Sequence, residues 1–353
     1  MSENTERRTI SDHPLYQMTI TRFKGFIREP EAVFWTFVFP ILMAAGLGLA
    51  FRQRGPDKPH VGVVTNAMSA PVVSALKKDT TIVTEPYGDS AARKALRTGK
   101  VAILVVPEQS GVQYVYDQAR GDAATARLLA NRAIQRAAGR VDPVPANDMY
   151  VSEKGSRYID FVVPGLLGMN LMGSGIWGLG FAIVTARNQK LLKRFMATPM
   201  KRSQYLFSFL LSRLVFLVLE VATLLLFGRY VFGVPLRGSF AVLSLICLLA
   251  AFSFSALGLL VASRAETTEG VQGLMNFIML PMWILSGVFF SSANFPSVVQ
   301  PFIKALPLTA VNDALRANML EGATLARVTP QLTVMAVWMV VSFVVALKIF
   351  RWR

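Results

Sequence analysis

The chain has 353 residues, 53% hydrophobic and 16% charged, with a mean hydropathy of +0.45; ordinary soluble chains carry about 25% charged residues, so the composition weighs against a wholly soluble protein. Lys and Arg number 37 against 21 Asp and Glu, a net +16, but the excess sits beside apolar segments without a long basic run, which points to membrane topology and away from a nucleic-acid partner. A single cysteine, Cys247, and two histidines, His13 and His60, exclude an internal disulfide framework and argue against a metal enzyme.

The N-terminal 30 residues read as cytoplasmic. Within them Leu15, Met18, Phe23, Phe26 and Ile27 share one helical face, with Gln17, Arg22, Lys24 and Arg28 largely elsewhere. That pattern suits an amphipathic helix in the membrane interface, or equally a short helix packed on the protein itself. Pro30 then sets a bend into a first apolar span, residues 32–51. Residues 52–158 are polar enough to form a small mixed α/β domain. Strands are expected at 61–65, 82–84, 101–106 (stopped by Pro107) and 112–116, and helices at 70–78, at 89–97 with Asp89 as N-cap, and at 123–138. Asp117, Asp122, Asp142 and Asp148 read better as solvated turn residues than as a site.

A second span covers 161–186, a third 203–228 and a fourth 240–263. From Gly270 to Ile303 no charge occurs, yet Pro281, Asn294, Pro296 and Pro301 punctuate the run. We read a fifth span near 271–290, then a re-entrant or interfacial segment at 291–310, since broken backbone at membrane depth is tolerated inside protein. The sixth span, 329–347, ends at Lys348, Arg351 and Arg353. Arg7, Arg8, Arg22, Lys24 and Arg28 before the first span, and the basic 187–204 loop after the second, place both on the cytoplasmic side. Both termini then lie inside and residues 52–158 outside, with the first span a retained anchor and not a cleaved signal. The expected fold class is a mainly α membrane protein: six transmembrane helices, an N-terminal interfacial amphipathic helix and a small extracytoplasmic α/β domain.

Gly173, Gly175 and Gly178 spell GxGxxG, but within an apolar span the motif signals close helix packing and not a dinucleotide site. No GxxxxGK[ST] loop occurs, so no nucleotide-hydrolysing motif is evident in the chain. Arg213 and Glu220 interrupt the third span two helical turns apart on one face. Charges in lipid face a bundle interior or a wet cavity, so they read as part of a pathway or gate, or as structural glue. Asn170, Asn276, Phe181 and Trp283 are further pathway candidates by polarity and position. In the 187–204 loop, Leu191, Leu192, Phe195 and Met196 line one side of a short helix closed by Pro199 and rimmed by Lys and Arg. Such a face suits docking of a cytoplasmic partner, or an interfacial helix.

The whole chain resembles a membrane subunit of the ATP-binding-cassette type-2 export family, in the variety with a large outer domain between spans one and two. The run Leu191-Leu-Lys-Arg-Phe-Met-Ala-Thr-Pro199 is similar to the family's coupling-helix loop. Ser286, Gly287, Phe289 and Phe290, with Pro307, Thr309, Asp313 and Arg316, match the segment before its last span, and residues 99–107 its outer-domain helix-to-strand turn. Departures are Asn188, Gln189, Lys190 and Leu191, where the family has an acidic residue and a Gly-Thr pair, and Ser291, where it has proline. The resemblance implies an export permease with no catalytic or metal-binding residue of its own. Two copies of a separate cytoplasmic ATPase would hold ATP and Mg and engage Lys190, Leu191, Leu192, Lys193, Arg194, Phe195, Met196, Thr198 and Pro199. A second permease subunit, identical or paralogous, membrane lipid and optionally a periplasmic partner complete the expected assembly in a bacterial inner membrane. A membrane-anchored sensor and an ion-coupled transporter are the rival readings; the latter wants more midplane carboxylates than Glu220 and an internal repeat.

Overall fold

The structure is a computed structural model describing residues 14–51, 58–141, 155–189, 202–264 and 267–349. It divides into two compact units, Met1–Arg52 with Ser152–Arg353, and Gln53–Val151. Helix α1 spans Pro14–Ile27, and α2 spans Pro30–Ala50 with a π-helical turn at Phe34–Val38.

The second unit is a four-stranded sheet in the order β2-β1-β3-β4. Strand β1 (His60–Val64) is parallel to β2 (Val83–Tyr87) and to β3 (Ile103–Glu108), and β4 (Gly111–Val115) is antiparallel to β3. Between them run α3 (Ser69–Lys78) and α4 (Asp89–Arg97), and α5 (Gly121–Ala137) follows. Val61, Val63, Ile103 and Val105 meet Leu76 of α3 and the alanine stripe Ala123, Ala126, Ala130 and Ala133 of α5. Val64, Val101 and Leu104 meet Ala92 and Ala95 of α4.

Two sequence expectations change here. Gly88, not Asp89, is the N-cap of α4, and Asp89 sits in the first turn, where its charge suits the helix dipole and its carboxylate pairs with Arg93 at 3.5 Å. Pro107 does not stop β3, which continues to Glu108. Its carbonyl lies on the β1 side, accepting from Asn66 Nδ2 at 2.7 Å, and the last β1–β3 pair is Val63 with Val105, so the missing N–H falls beyond the paired residues. Asp117 accepts from the Ala119 amide, as a turn residue does, and Asp122 pairs with Arg120 in the first turn of α5, while Asp142 and Asp148 lie outside the described residues.

The first unit continues with α6 (Tyr158–Asn188), α7 (Arg202–Phe232), α8 (Phe240–Arg264) and α9 (Thr268–Leu285). A 3-10 turn at Ser292–Asn294, α10 (Gln300–Ala305), α11 (Pro307–Glu321) and α12 (Leu325–Ile349) complete it. Among the described residues five helices are long and apolar enough to cross a membrane: α2, Tyr158–Thr185 of α6, Leu211–Phe232 of α7, α8 and α12. The segment read as a fifth span of six gives α9, an 18-residue helix about 27 Å long at 1.5 Å per residue. Glu269, Gln272 and Asn276 dilute its first half, and the chain turns at Ser286. Residues 291–310 run as short pieces, the 3-10 turn, α10 and the start of α11, with breaks at 295–299 and at Leu306, the broken backbone expected there.

The core of this unit is α6 against α8: Leu166, Leu171, Met172 and Ile176 pack with Ile246, Ala250, Phe254 and Leu257. The close approach needs glycine. A Cβ on Gly258 would lie 2.6 Å from the Ile176 carbonyl, and one on Gly175 would lie 2.6 Å from Phe254 Cβ. Of the GxGxxG set only Gly175 serves this packing; Gly173 and Gly178 face open space. Outward, Val218, Leu226, Phe277, Val337 and Val341 are exposed, an apolar surface suited to lipid and not to water.

Candidate functional site

Glu220 is 2% exposed and Arg213, two turns earlier on α7, 16%. The sequence spacing is therefore realised as contact, with Arg213 Nη1 donating to Glu220 Oε1 at 3.2 Å. Ser174 of α6 closes the group. Its hydroxyl accepts from Arg213 Nη2 at 2.9 Å and stands 2.8 Å from Glu220 Oε2, within donating distance. A charge pair in an apolar surround needs such supplementary bonds to offset desolvation. One turn before Ser174, Asn170 donates from Nδ2 to the Thr36 carbonyl of α2 at 3.0 Å. The sequence explains that bond: the usual donor to Thr36 would be the amide of residue 40, and Pro40 has none. Asn170 thus brings a donor from α6 to a carbonyl of the π-helical turn. A polar path of four side chains links α2, α6 and α7.

Beside it, α1 lies against α2 and α7 through aromatic rings. Phe216, between Arg213 and Glu220 in sequence, stacks on Phe23 at 5.5 Å and meets Phe26 at 4.4 Å with the rings tilted by 47°, and Phe26 also meets Phe37 at 6.2 Å. These rings, with Phe34 and Leu219, line an open apolar groove of about 630 Å³.

The residues around the α9–α11 turn form a second polar group. Gly287 turns the chain with φ 70°, in the left-handed region that favours glycine. Three backbone carbonyls released there are taken by side chains: Ser286 by Asn312 Nδ2 at 2.9 Å, Phe289 by Tyr158 at 2.8 Å, and Gly287 by Arg316 Nη2. Arg316 also reaches the Phe161 carbonyl at 3.2 Å and lies over the Phe161 ring at 3.6 Å, with Asp313 4.0 Å away. The acceptor sits in the turn of α6 that Pro164 opens. One arginine therefore ties α11, the α9 turn and the start of α6. Pro307 and Thr309 are buried at the start of α11, whereas Phe290 is exposed.

Among the sequence candidates, Arg213, Glu220 and Asn170 are thus brought together. Asn276 and Phe181 are exposed and stand apart from them, and Trp283 Nε1 is buried without a hydrogen-bond partner. The segment from Lys190 to Pro199 lies outside the described residues, as do the basic residues Arg7, Arg8, Arg351 and Arg353. Sequence reading missed Ser174, Tyr158, Asn312 and the Thr36 carbonyl. Only the last left a signal, a proline four residues on in a helical run.

A family model described as ABC-2 family transporter protein matches residues 31–348. ABC transporter G family member 20 of Dictyostelium discoideum is 31% identical over 172 residues, 48% of this chain and 23% of its own length. Inner membrane transport permease YhhJ of Escherichia coli (strain K12) is 28% identical over 174 residues, 49% of this chain and 46% of its own. The protein named probable multidrug ABC transporter permease YbhS, from the same strain, is 24% identical over 165 residues, 46% and 43%. The matched stretch spans less than half the length of each of these three relatives. With the family model covering most of the chain and five apolar helices long enough to span a bilayer, the chain belongs to the ABC-2 family of transporter proteins, as a multi-pass transmembrane subunit that is not itself the ATPase.

Proposed function

We propose that this chain is the permease of an ATP-driven exporter that moves a hydrophobic or amphipathic substrate, a drug or a lipid, outward from the cytoplasm or the inner leaflet. The observation that carries the reading is the family match over residues 31–348. The direction and the substrate class follow from the resemblance and from the name of one relative, a multidrug permease. In this reading six helices span a bacterial inner membrane, α9 crossing with its flanking turn, with both termini inside and the α/β unit outside. Two permease subunits, identical or paralogous, pair, and two ATPase copies holding ATP and Mg dock on residues 190–199. Helix α1 rests in the inner interface.

Coupling then has a physical route. Closure of the ATPase pair pushes the 190–199 segment and α1; Phe23 and Phe26 of α1 bear on Phe216, and Phe216 shares its helix face with the Arg213–Glu220 pair. A displacement there biases a two-state arrangement of α2, α6 and α7. Asn170, Ser174, Arg213 and Glu220 are the side chains whose bonds would differ between the states.

The test is co-purification of the tagged chain with its ATPase, followed by paired transport and hydrolysis assays on Leu192→Asp and on Lys193→Glu with Arg194→Glu. Uncoupling is expected: hydrolysis persists or falls while transport is lost, and the chain still folds. Full transport in these variants would remove the coupling role from residues 190–199.

A further inference from the structure

The sheet of the α/β unit ends in two edge strands, β2 and β4, and the backbone groups they turn outward differ. On β1 the amide of Thr65 donates to Tyr87 of β2, and that of Val83 to Pro59. Residues 83, 85 and 87 of β2 therefore face β1, and Thr84 and Pro86 face outward. Pro86 offers no N–H, so this edge cannot accept a further strand in register. On β3, Pro107 points its carbonyl toward β1, where Asn66 holds it. Its partner Val112 then faces away from β3, and by the alternation of an antiparallel ladder so does Tyr114. Both keep an N–H and a C=O on the open side. Strand β4 reads Gly-Val-Gln-Tyr-Val, with no charge, no proline and Val115 exposed. Those are the features that natural edge strands normally avoid.

We propose that β4 pairs with β4 of a second copy of this chain, antiparallel about Gln113, so that two four-stranded sheets join into one of eight. The register is self-consistent. Centring on Gln113 sets Val112 opposite Tyr114 of the other copy, twice, and these are the residues whose backbone groups face out, giving four hydrogen bonds. The same register places an aromatic beside a β-branched side chain and Gln113 opposite its own copy, with no like charges facing. Because Pro86 closes the other edge, association stops at two, a closed isologous pair. Four bonds are too few to hold free domains together at ordinary concentration. Two chains already sharing one membrane assembly have a far higher effective concentration, and for that one element the inference rests on the two-subunit reading above. Its new content is that the partner permease is identical to this one and that the α/β units form part of the contact.

Single cysteines in the full-length chain, in native membranes under mild oxidation, test the register; the parental chain, whose Cys247 is buried, is the blank. Facing residues at position 113 would stand about 4.5 Å apart between Cα atoms, within disulfide range. Residues at position 115 would be four steps apart along the strands, beyond about 13 Å and out of range. The expected result is a disulfide-linked dimer with Gln113→Cys and its loss with Val115→Cys. Adding Val112→Pro to Gln113→Cys removes an outward N–H without touching a β3–β4 bond, and should abolish the cross-link while the chain still reaches the membrane. Co-purification of two differently tagged copies separates the possible failures. If the copies co-purify and Gln113→Cys gives no dimer, the edge pairing is overturned and the two-subunit reading stands. If the copies neither co-purify nor cross-link, the pairing of identical chains is overturned and the two-subunit reading keeps only its paralogous form. Equal cross-linking at 113 and 115 also overturns the proposal, because chance collision has no register.

Discussion

The two units of this chain treat polar side chains in opposite ways. Among the described residues of the α/β unit, Ser69 is the one buried polar side chain, while the spanning unit buries Asp160, Asn170, Glu220, Asn312 and Asn318. The difference follows from solvent. In the α/β unit the ladder satisfies the backbone and water takes the rest, so the core is left to Val, Ile, Leu and Ala. In the spanning unit proline, glycine and turns release carbonyls where lipid offers no donor, and Asn170, Tyr158, Asn312 and Arg316 supply the hydrogens. Polar residues there serve as links between helices. The same substitution, a lost carboxylate or amide, should therefore cost far more in one unit than in the other.

The largest expected effect is at Glu220. Glu220→Ala strands the Arg213 guanidinium in an apolar surround, and breaking one side of a buried pair costs about 3–5 kcal/mol. Replacing both, Arg213→Met with Glu220→Leu, removes the stranded charge and should recover most of that loss. Thermal unfolding of the detergent-purified chain checks the order: the single variant melts lowest and the double lies near the parent. The double variant also separates glue from gate. Folded chain with full transport assigns the pair to packing, whereas folded chain with transport lost assigns it to the moving element.

How far the sequence carried differs between the units for the same physical reason. Strand alternation and turn residues located every element of the α/β unit to within a few residues, and the two errors, at Asp89 and Pro107, were misjudged end signals. In the spanning unit the apolar runs located the helices, because hydropathy reports burial from water directly. It does not report which helix faces which. That Arg213 and Glu220 meet was legible from a seven-residue spacing; that Ser174 completes them was not, since a serine within an apolar helix carries no positional signal. The helix expected over 271–290 ends at Leu285, because Gly287 turns the chain in the left-handed region. Arg316 and Asp313 entered through family resemblance; their contacts with Phe161 and Gly287 depend on tertiary approach that no periodicity encodes.

A smaller effect, and a sharper one, lies at the Pro40 turn. Asn170→Ala should cost about 1–3 kcal/mol, the penalty of leaving the Thr36 carbonyl without a donor. Pro40→Ala returns an amide at the fourth residue, so the Asn170→Ala change should cost markedly less in a Pro40→Ala background. A double-mutant cycle on the melting of the four chains measures that coupling. Additive effects would mean that Asn170 acts by filling space alone, and the contrast between the units would lose its physical basis at this position.

The smallest effect belongs to the α/β unit. Asp122 is 51% exposed at the start of α5. The Arg120 fork, donating at 2.7 and 3.1 Å, holds its carboxyl below the ordinary carboxylate range. Exposed pairs contribute about 0.2–1 kcal/mol, so Asp122→Asn should lower the protection of the α5 amides against hydrogen exchange only slightly at neutral pH. The sign of its pH dependence is fixed. Because the folded carboxyl is the stronger acid, its contribution is complete above the unfolded pKa and is lost as pH falls through the folded one. The parent and Asp122→Asn should thus differ by a constant small amount above about pH 5 and converge only once pH has fallen through the folded pKa, which lies under the reference value of about 3.9 for Asp. Should Asp122→Asn instead cost as much as Glu220→Ala, exposure would not be what separates the two units, and the asymmetry would have to come from the number of bonds each carboxylate makes.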